Sequence, residues 1–139
     1  MKTAFGHLCA WIVFCSAAPD LPAQSFSLPG QTVYNLHCAA CHGEGGDGNG
    51  PASVWLYPKP RDFSAGQFKI KSTPAQFLPT DDDLLQSVNR GLPGSSMPGF
   101  SYLSEQERRD VVQYVKHLTA YTDSSGRRVN RFEQAVAAG

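Results

Sequence analysis

The pattern of hydrophobic and polar positions in this chain predicts a few helices separated by long irregular segments. The longest amphipathic period lies in residues 105–121, where apolar positions recur at the spacing of one helical face. Ser104 and Glu107 form a capping box in front of this segment, which predicts where the helix begins. The apolar stripe of the helix consists of Val111, Val112, Tyr114, Val115, Leu118 and Tyr121.

Two further helices are predicted by shorter patterns. Thr80 is followed by aspartates at 81–83, and a capping threonine with carboxylates in the first turn marks a helix start. That helix should extend to about Arg90 and stop at Gly91. A first helix is predicted over residues 31–40. Because it carries few apolar residues, it must pack on something larger than itself.

The remaining segments carry turn-forming residues without a sustained period. Residues 43–50 hold five glycines and residues 92–102 are rich in glycine and proline, so both are predicted as irregular loops. Residues 52–80 place many aromatics among prolines, which predicts a loop-rich layer whose aromatics cover something apolar. For the polar residues 123–139, disorder and a short extra helix both stay open, with disorder favoured.

The N-terminus has the organisation of an export signal. Lys2 supplies the positive end, residues 4–18 form an apolar run, and Ala23 is suited to cleavage by signal peptidase. Because the run is shorter than the ~20 residues that span a bilayer, we expect cleavage, with an uncleaved membrane anchor as the alternative. The 139 residues suffice for one domain. The predicted organisation is a signal peptide at 1–23, a domain at 24–122 and a polar tail at 123–139.

The charge balance of the chain argues against one class of partner. Basic and acidic side chains are equally frequent, with 12 of each, and the formal net charge is zero. No global field would therefore attract a strongly charged polymer. We expect no nucleic acid among the partners of this protein.

The most informative motif is the sequence C-A-A-C-H at residues 38–42. Signal cleavage would remove the two other cysteines, which leaves Cys38 and Cys41 in the mature chain. C-x-x-C-H is the attachment motif of a c-type haem. Two thiols on one helical turn reach the two vinyl groups of a porphyrin, and His42 then lies under the ring with a nitrogen able to bind iron. The motif therefore predicts one covalent haem c.

Met97 is the predicted second axial ligand of the iron. His37 lies on the same helix as the motif and cannot reach the opposite face of the ring. His117 falls on the polar side of the last helix, which is typical of a solvated surface histidine. Met97 lies among prolines and glycines, away from any helical stripe, where a loop can present its sulfur rigidly. Histidine and methionine ligation raises the reduction potential and leaves no open coordination position.

Three functional hypotheses follow from these residues. The first is a one-electron carrier that is not an enzyme, since the sequence offers no constellation of acid, base and nucleophile. The second is a haem enzyme, or a sensor of gas or peroxide, in which Met97 is displaceable. The third discards haem and assigns a structural zinc ion to Cys38, Cys41 and two histidines, although His37 is badly placed for such a site.

With these residues placed, the chain resembles class I cytochromes c, in particular small bacterial periplasmic ones. The likeness rests on C-A-A-C-H-G at 38–43, on the glycine loop that closes at Pro51, and on R-G-L-P-G at 90–94 leading to Met97. It implies an all-α cytochrome c fold of three main helices with long loops wrapped around one covalent haem. It also implies a soluble periplasmic monomer that shuttles electrons between respiratory or dehydrogenase partners.

The resemblance also implies roles for single residues. In such proteins the proline at the position of Pro51 offers its carbonyl to the second nitrogen of the proximal histidine. Gly30 and Tyr34 match the point where the first and last helices cross, and Gly30 would allow the close approach. Arg61 and Arg90 have two open interpretations, as partners of the haem propionates or as solvated surface arginines.

Overall fold

A computed structural model describes residues 27–137. The predicted signal peptide at 1–23 lies outside the described residues. The elements are helices α1 (Gln31–His37) and α2 (Ala39–His42), a 3-10 turn (Ser53–Trp55), helices α3 (Asp81–Arg90) and α4 (Glu105–Leu118), strands β1 (Tyr121–Thr122) and β2 (Arg128–Val129), and helix α5 (Arg131–Ala137). This largely helical architecture confirms the predicted all-α class. None of the helices within residues 27–137 is long and apolar enough to cross a membrane.

The two longest helices begin where the sequence predicts, because local hydrogen bonds determine their starts. At α4 the Glu107 backbone N–H donates to the Ser104 hydroxyl oxygen at 3.2 Å, and the Ser104 N–H donates to the Glu107 carboxylate at 2.8 Å. Thr80 and Asp83 form the same reciprocal pair at α3. Gly91 ends α3 with a φ of 72°, a conformation that favours glycine.

Glu107 should make the stability of the protein pH-dependent. Hydrogen bonds from the Ser104 hydroxyl and backbone N–H hold the pKa of Glu107 below its ordinary value of 4.5. A carboxyl group with a lowered pKa contributes stability that is complete above the unfolded value and is lost as pH falls through the folded value. We expect Glu107→Gln to flatten the decline of the melting temperature below about pH 4.5, measured by circular dichroism. An equally steep decline in the variant would contradict this role.

The hydrophobic core forms where α1 crosses α4. Gly30 has a φ of 79°, and a Cβ there would lie only 2.0 Å from the carbonyl oxygen of Asp110. The two backbones therefore approach to a distance that only glycine permits, which confirms the predicted crossing. The core cluster consists of Tyr34, Ala39, Phe63, Val111, Tyr114, Val115 and Leu118.

Helix α3 packs on α4. The carboxylate of Asp81, at the start of α3, accepts hydrogen bonds from Gln113 and Lys116 of α4, both at 2.8 Å. Since α3 leads directly into the loop that carries Met97, this packing fixes where that loop begins.

The predicted aromatic layer over residues 52–80 meets the protein core at two of its aromatics. Phe63 joins the core, because its N–H donates to the Gly46 carbonyl at 2.7 Å and ties the segment to the glycine loop. Trp55 and Tyr57, by contrast, are 86% and 92% exposed to the solvent. The layer therefore contacts the core through Phe63 and the half-buried Phe68 rather than through all of its aromatics.

Residues 123–137 of the C-terminal segment form regular structure, so the favoured prediction of disorder is wrong for them. Tyr121 pairs with Val129 in an antiparallel two-stranded hairpin, and α5 follows directly. Tyr121 thereby belongs to β1, because α4 ends at Leu118 instead of continuing to 121. Tertiary contacts with distant segments supply the order that the polar composition did not indicate.

Candidate haem site

The C-A-A-C-H motif folds into one compact turn between two helices. The Cys38 N–H closes α1 by donating to the Tyr34 carbonyl at 2.8 Å. The Cys38 carbonyl then accepts from the N–H groups of Cys41 and His42 at 3.1 and 2.9 Å, which starts α2. Both thiols are free and half-buried. The predicted single helix over 31–40 is thus divided at Cys38, and the division places both thiols and His42 within one turn.

Burial changes the ionisation of the first thiol. Removal from water, followed by the neighbouring Cys41, raises the pKa of the Cys38 thiol to about 11. A structural zinc site needs four converging ligands. No three His, Cys, Asp or Glu side chains within residues 27–137 converge as a metal site.

His42 is held in one tautomer and one orientation. Its Nδ1 lies 3.0 Å from the carbonyl oxygen of Arg61. A carbonyl can only accept, so Nδ1 carries the proton and Nε2 keeps a lone pair. Burial lowers the pKa of the imidazole and favours its neutral form, outweighing the hydrogen bond to the Arg61 carbonyl, which raises the pKa; the Arg61 charge adds to the lowering. A neutral imidazole that is anchored through one nitrogen is the form that ligates iron through the other.

The group that accepts a hydrogen bond from His42 Nδ1 differs from the Pro51 carbonyl, which the resemblance implies. The Arg61 carbonyl occupies this role, and Pro51 lies exposed in the turn after Gly50. Gly48 lets the segment with Arg61 approach the glycine loop, because a Cβ at Gly48 would lie 2.8 Å from the Pro60 carbonyl oxygen. The glycine loop thus admits the segment that carries Arg61 close behind the imidazole.

Phe63 is a site residue that the sequence did not identify. Its ring stacks on the His42 imidazole with the centroids 4.6 Å apart and an angle of 18° between the planes. Gly46 allows this packing, since a Cβ there would lie 3.0 Å from both Phe63 and Leu118. The P-K-P-R-D-F stretch at 58–63 was visible in the sequence, but nothing in it indicated which side chain would meet the histidine.

The loop that carries Met97 is anchored to the end of α3. The Leu92 N–H donates to the Met97 carbonyl at 3.1 Å, and the Phe100 N–H donates to the Val88 carbonyl at 2.9 Å. Gly91 packs so closely that a Cβ would lie 2.6 Å from the Met97 carbonyl oxygen. The half-buried Met97 therefore sits on a constrained backbone, as the loop sequence predicts. Its ligation of iron stays a prediction.

The two competing histidines are engaged elsewhere. The Nδ1 of His37 lies 3.3 Å from the Tyr102 hydroxyl, and its ring packs edge-on against Phe100. His117 is exposed on α4, with its Nε2 3.4 Å from the Arg128 guanidinium. The structure therefore agrees with the surface position that the sequence predicts for His117, and Met97 remains the candidate ligand.

The two candidate propionate partners differ in their surroundings. The Arg61 side chain is half-buried in the segment that packs behind His42, whereas Arg90 is exposed at the last position of α3. Both interpretations of these arginines, as propionate partners or as surface charges, stay predictions.

Comparisons with known proteins agree with this geometry. Residues 27–119 match the family model described as Cytochrome c. Cytochrome c-554(547) of Halothiobacillus neapolitanus is 31% identical over 91 residues, which make up 64% of this chain and 92% of the relative. A solved chain of the reducing HAO-like protein complex of Kuenenia stuttgartiensis is similar, with 40% identity and a TM-score of 0.64. The similarity covers 66% of this chain and 42% of the solved one, so this chain spans less than half of that protein.

The solved relative corrects one prediction. The sequence led us to expect that the chain is not an enzyme, but a chain 40% identical to it is part of a HAO-like complex, and HAO-like proteins are a haem enzyme family. The missing constellation of acid, base and nucleophile was a poor criterion, because a haem can supply reactivity that needs no such set of side chains. The exclusion of enzymatic roles is therefore withdrawn.

The family match extends from before α1 to the residue after α4. It includes the turn with both thiols, the anchored imidazole and the loop with Met97. Cys38 and Cys41 occupy the positions of the C-x-x-C-H motif, and the fold implies a covalently bound haem c with its iron. This chain belongs to the cytochrome c family and is a haem-based electron carrier.

Proposed function

We propose that this chain is an exported one-electron carrier in which His42 and Met97 are the axial ligands of a haem attached through Cys38 and Cys41. The observation that carries the proposal is the state of His42, whose Nδ1 is bound to the Arg61 carbonyl and whose Nε2 is left with a lone pair. A haem bound here supplies one reversible electron at its iron. The protein's part is to hold the ligands still while the charge changes.

Several features of the chain support low reorganisation on electron transfer. The imidazole is constrained by the Arg61 carbonyl on its edge and by Phe63 on its face. Met97 lies on a backbone tied to α3 through Leu92. Because neither ligand needs to move, the same geometry serves both oxidation states. A filled sixth position also excludes water from the iron.

The partners proposed here are redox proteins. The similar chain of the HAO-like complex is part of a multi-protein assembly. This supports a redox protein as the electron donor or acceptor of the present chain. The balanced charge of the chain gives no preference for a strongly acidic or basic partner. Encounters of this kind typically bury less than ~1,200 Å² and dissociate readily. In this proposal residues 1–23 direct export to the periplasm, and residues 24–122 form the haem domain.

The proposal is tested by the absorption spectrum of the purified protein after periplasmic expression, in both oxidation states and then with carbon monoxide. We expect haem that survives denaturation, because it is covalent, and a sulfur-to-iron charge-transfer band in the oxidised form. The reduced form should not respond to carbon monoxide. If the band is missing and carbon monoxide binds rapidly, Met97 is not the ligand, and a catalytic or sensory role with an open position takes precedence.

A further inference from the structure

The C-terminal hairpin and helix lie beyond the stretch that matches the family, yet they are built on specific contacts. The family match ends at residue 119, whereas β1, β2 and α5 occupy residues 121–137. Asn130 caps α5, its side-chain oxygen accepting from the Phe132 N–H at 2.9 Å. The Asn130 amide also donates to the Lys116 carbonyl at 2.9 Å, which joins the start of α5 to the end of α4.

Arg131 attaches α5 to residues 64–66, which follow Phe63 in the chain. Its guanidinium donates to the Ser64 carbonyl at 3.4 Å and lies over the Tyr121 ring, 4.3 Å from the centroid. Gly66 leaves room for this side chain, since a Cβ there would lie 2.3 Å from the Arg131 Cδ. The extension and residues 64–66 are therefore shaped to each other.

A continuous series of aromatic rings leads from this extension to His42. Phe132 of α5 meets Phe68 edge-on, with the centroids 6.2 Å apart. Phe68 stacks with Phe63 at 6.2 Å, their planes only 12° apart. Phe63 in turn stacks on the His42 imidazole at 4.6 Å. Within residues 27–137, no aromatic ring stacks on the opposite face of the His42 imidazole.

We propose that the C-terminal extension is a proximal-side support for the haem, in which Phe132 acts as a positioning residue. Through Phe68 and Phe63 it holds the plane of the His42 imidazole and keeps water from the ligand. This inference rests on the proposed function, because it takes His42 to be the proximal ligand. Residues around a ligand histidine set its orientation and the local dielectric, and both tune the reduction potential of a haem.

The charge of the iron determines in which direction loss of this support shifts the reduction potential. The oxidised haem carries one more positive charge than the reduced haem, so water near the proximal side stabilises the oxidised form and lowers the potential. Loss of the aromatic support also allows the imidazole to rotate about its bond to iron. The haem methyl resonances of the oxidised protein report that rotation directly, and they do not depend on any enzymatic activity.

The test is Phe132→Ala in the full-length holoprotein, with the potential measured by redox titration and the haem methyl shifts by NMR. We expect a lower potential and altered methyl shifts, with the sulfur-to-iron band retained. Val136→Ala is the matched control, because Val136 lies on the same helix and is 83% exposed; it should change neither quantity. Phe132→Leu keeps apolar bulk and should restore most of the potential but not all of the methyl pattern.

A second variant keeps the test decisive if Phe132→Ala loses its haem. Arg131→Ala weakens the attachment to Ser64 and leaves all three phenylalanines in place, so it should shift the same two quantities less far. Variants that melt earlier but keep wild-type potential and methyl shifts would overturn the inference and leave the extension a structural element. Wild-type protein without the signals of a coordinated imidazole would instead refute the proposed function itself.

Discussion

Met97→Ala is expected to lower the reduction potential of the holoprotein by roughly 0.1–0.3 V, a sizeable part of the ~0.8 V over which axial ligands set haem potentials. A thioether is a soft, uncharged donor that favours reduced iron. Its removal leaves a position for water or an added ligand. The variant should therefore lose the sulfur-to-iron band and bind carbon monoxide when reduced. The two measurements are a redox titration and an absorption spectrum.

Ser96→Ala provides the control for this substitution. Ser96 is the exposed neighbour of Met97 in the same loop, so the change tests whether disturbance of the loop alone alters the potential. It should leave both the band and the carbon monoxide response as in the wild type. A Met97→Ala protein with unaltered potential would contradict the ligation and assign the second axial position to another group.

Gly30→Ala is expected to reduce the free energy of unfolding by about 2–5 kcal/mol. The new Cβ would lie 2.0 Å from the Asp110 carbonyl oxygen, an overlap with backbone that no side-chain movement can relieve. Forcing extra atoms into a packed contact typically costs about 1–3 kcal/mol, and a left-handed non-glycine residue adds about 1–2 kcal/mol. Helices α1 and α4 must separate at the centre of the core. Denaturant unfolding of the holoprotein measures the loss.

Gly94→Ala separates the two contributions to this loss. Gly94 also has a positive φ, 84°, but a Cβ there would meet nothing within 4 Å. We expect only the conformational cost, about 1–2 kcal/mol. Equal losses in the two variants would show that φ, and not the contact between α1 and α4, makes Gly30 necessary.

The successful predictions concern residues that interact within a few positions of each other. Ser104 with Glu107, and Thr80 with Asp83, lie three residues apart, so their hydrogen bonds form as soon as the helix does. The two thiols and His42 likewise fall within a single turn. Such features depend little on the rest of the fold, and sequence spacing is enough to recognise them.

The missed features join segments that are far apart in the chain. Arg61 lies 19 residues from His42 and contributes a backbone carbonyl, which every residue possesses and no sequence pattern marks. Phe63 could have been any of the aromatics in residues 52–80 until its N–H was seen to bind Gly46. The ordered extension depends on Arg131 reaching Ser64, 67 residues earlier. Polar composition carried no trace of that contact.

By itself the sequence determined the cofactor, the spacing of the two thiols and His42, and the starts of the two long helices, because each of these is encoded by side chains at short, fixed spacing. Only the tertiary structure decided which carbonyl anchors His42, which ring covers its face and where residues 121–137 pack. The physical reason is that these contacts form only when loops without periodicity are folded against the crossing of α1 and α4. Their geometry is a property of the whole fold rather than of any one segment.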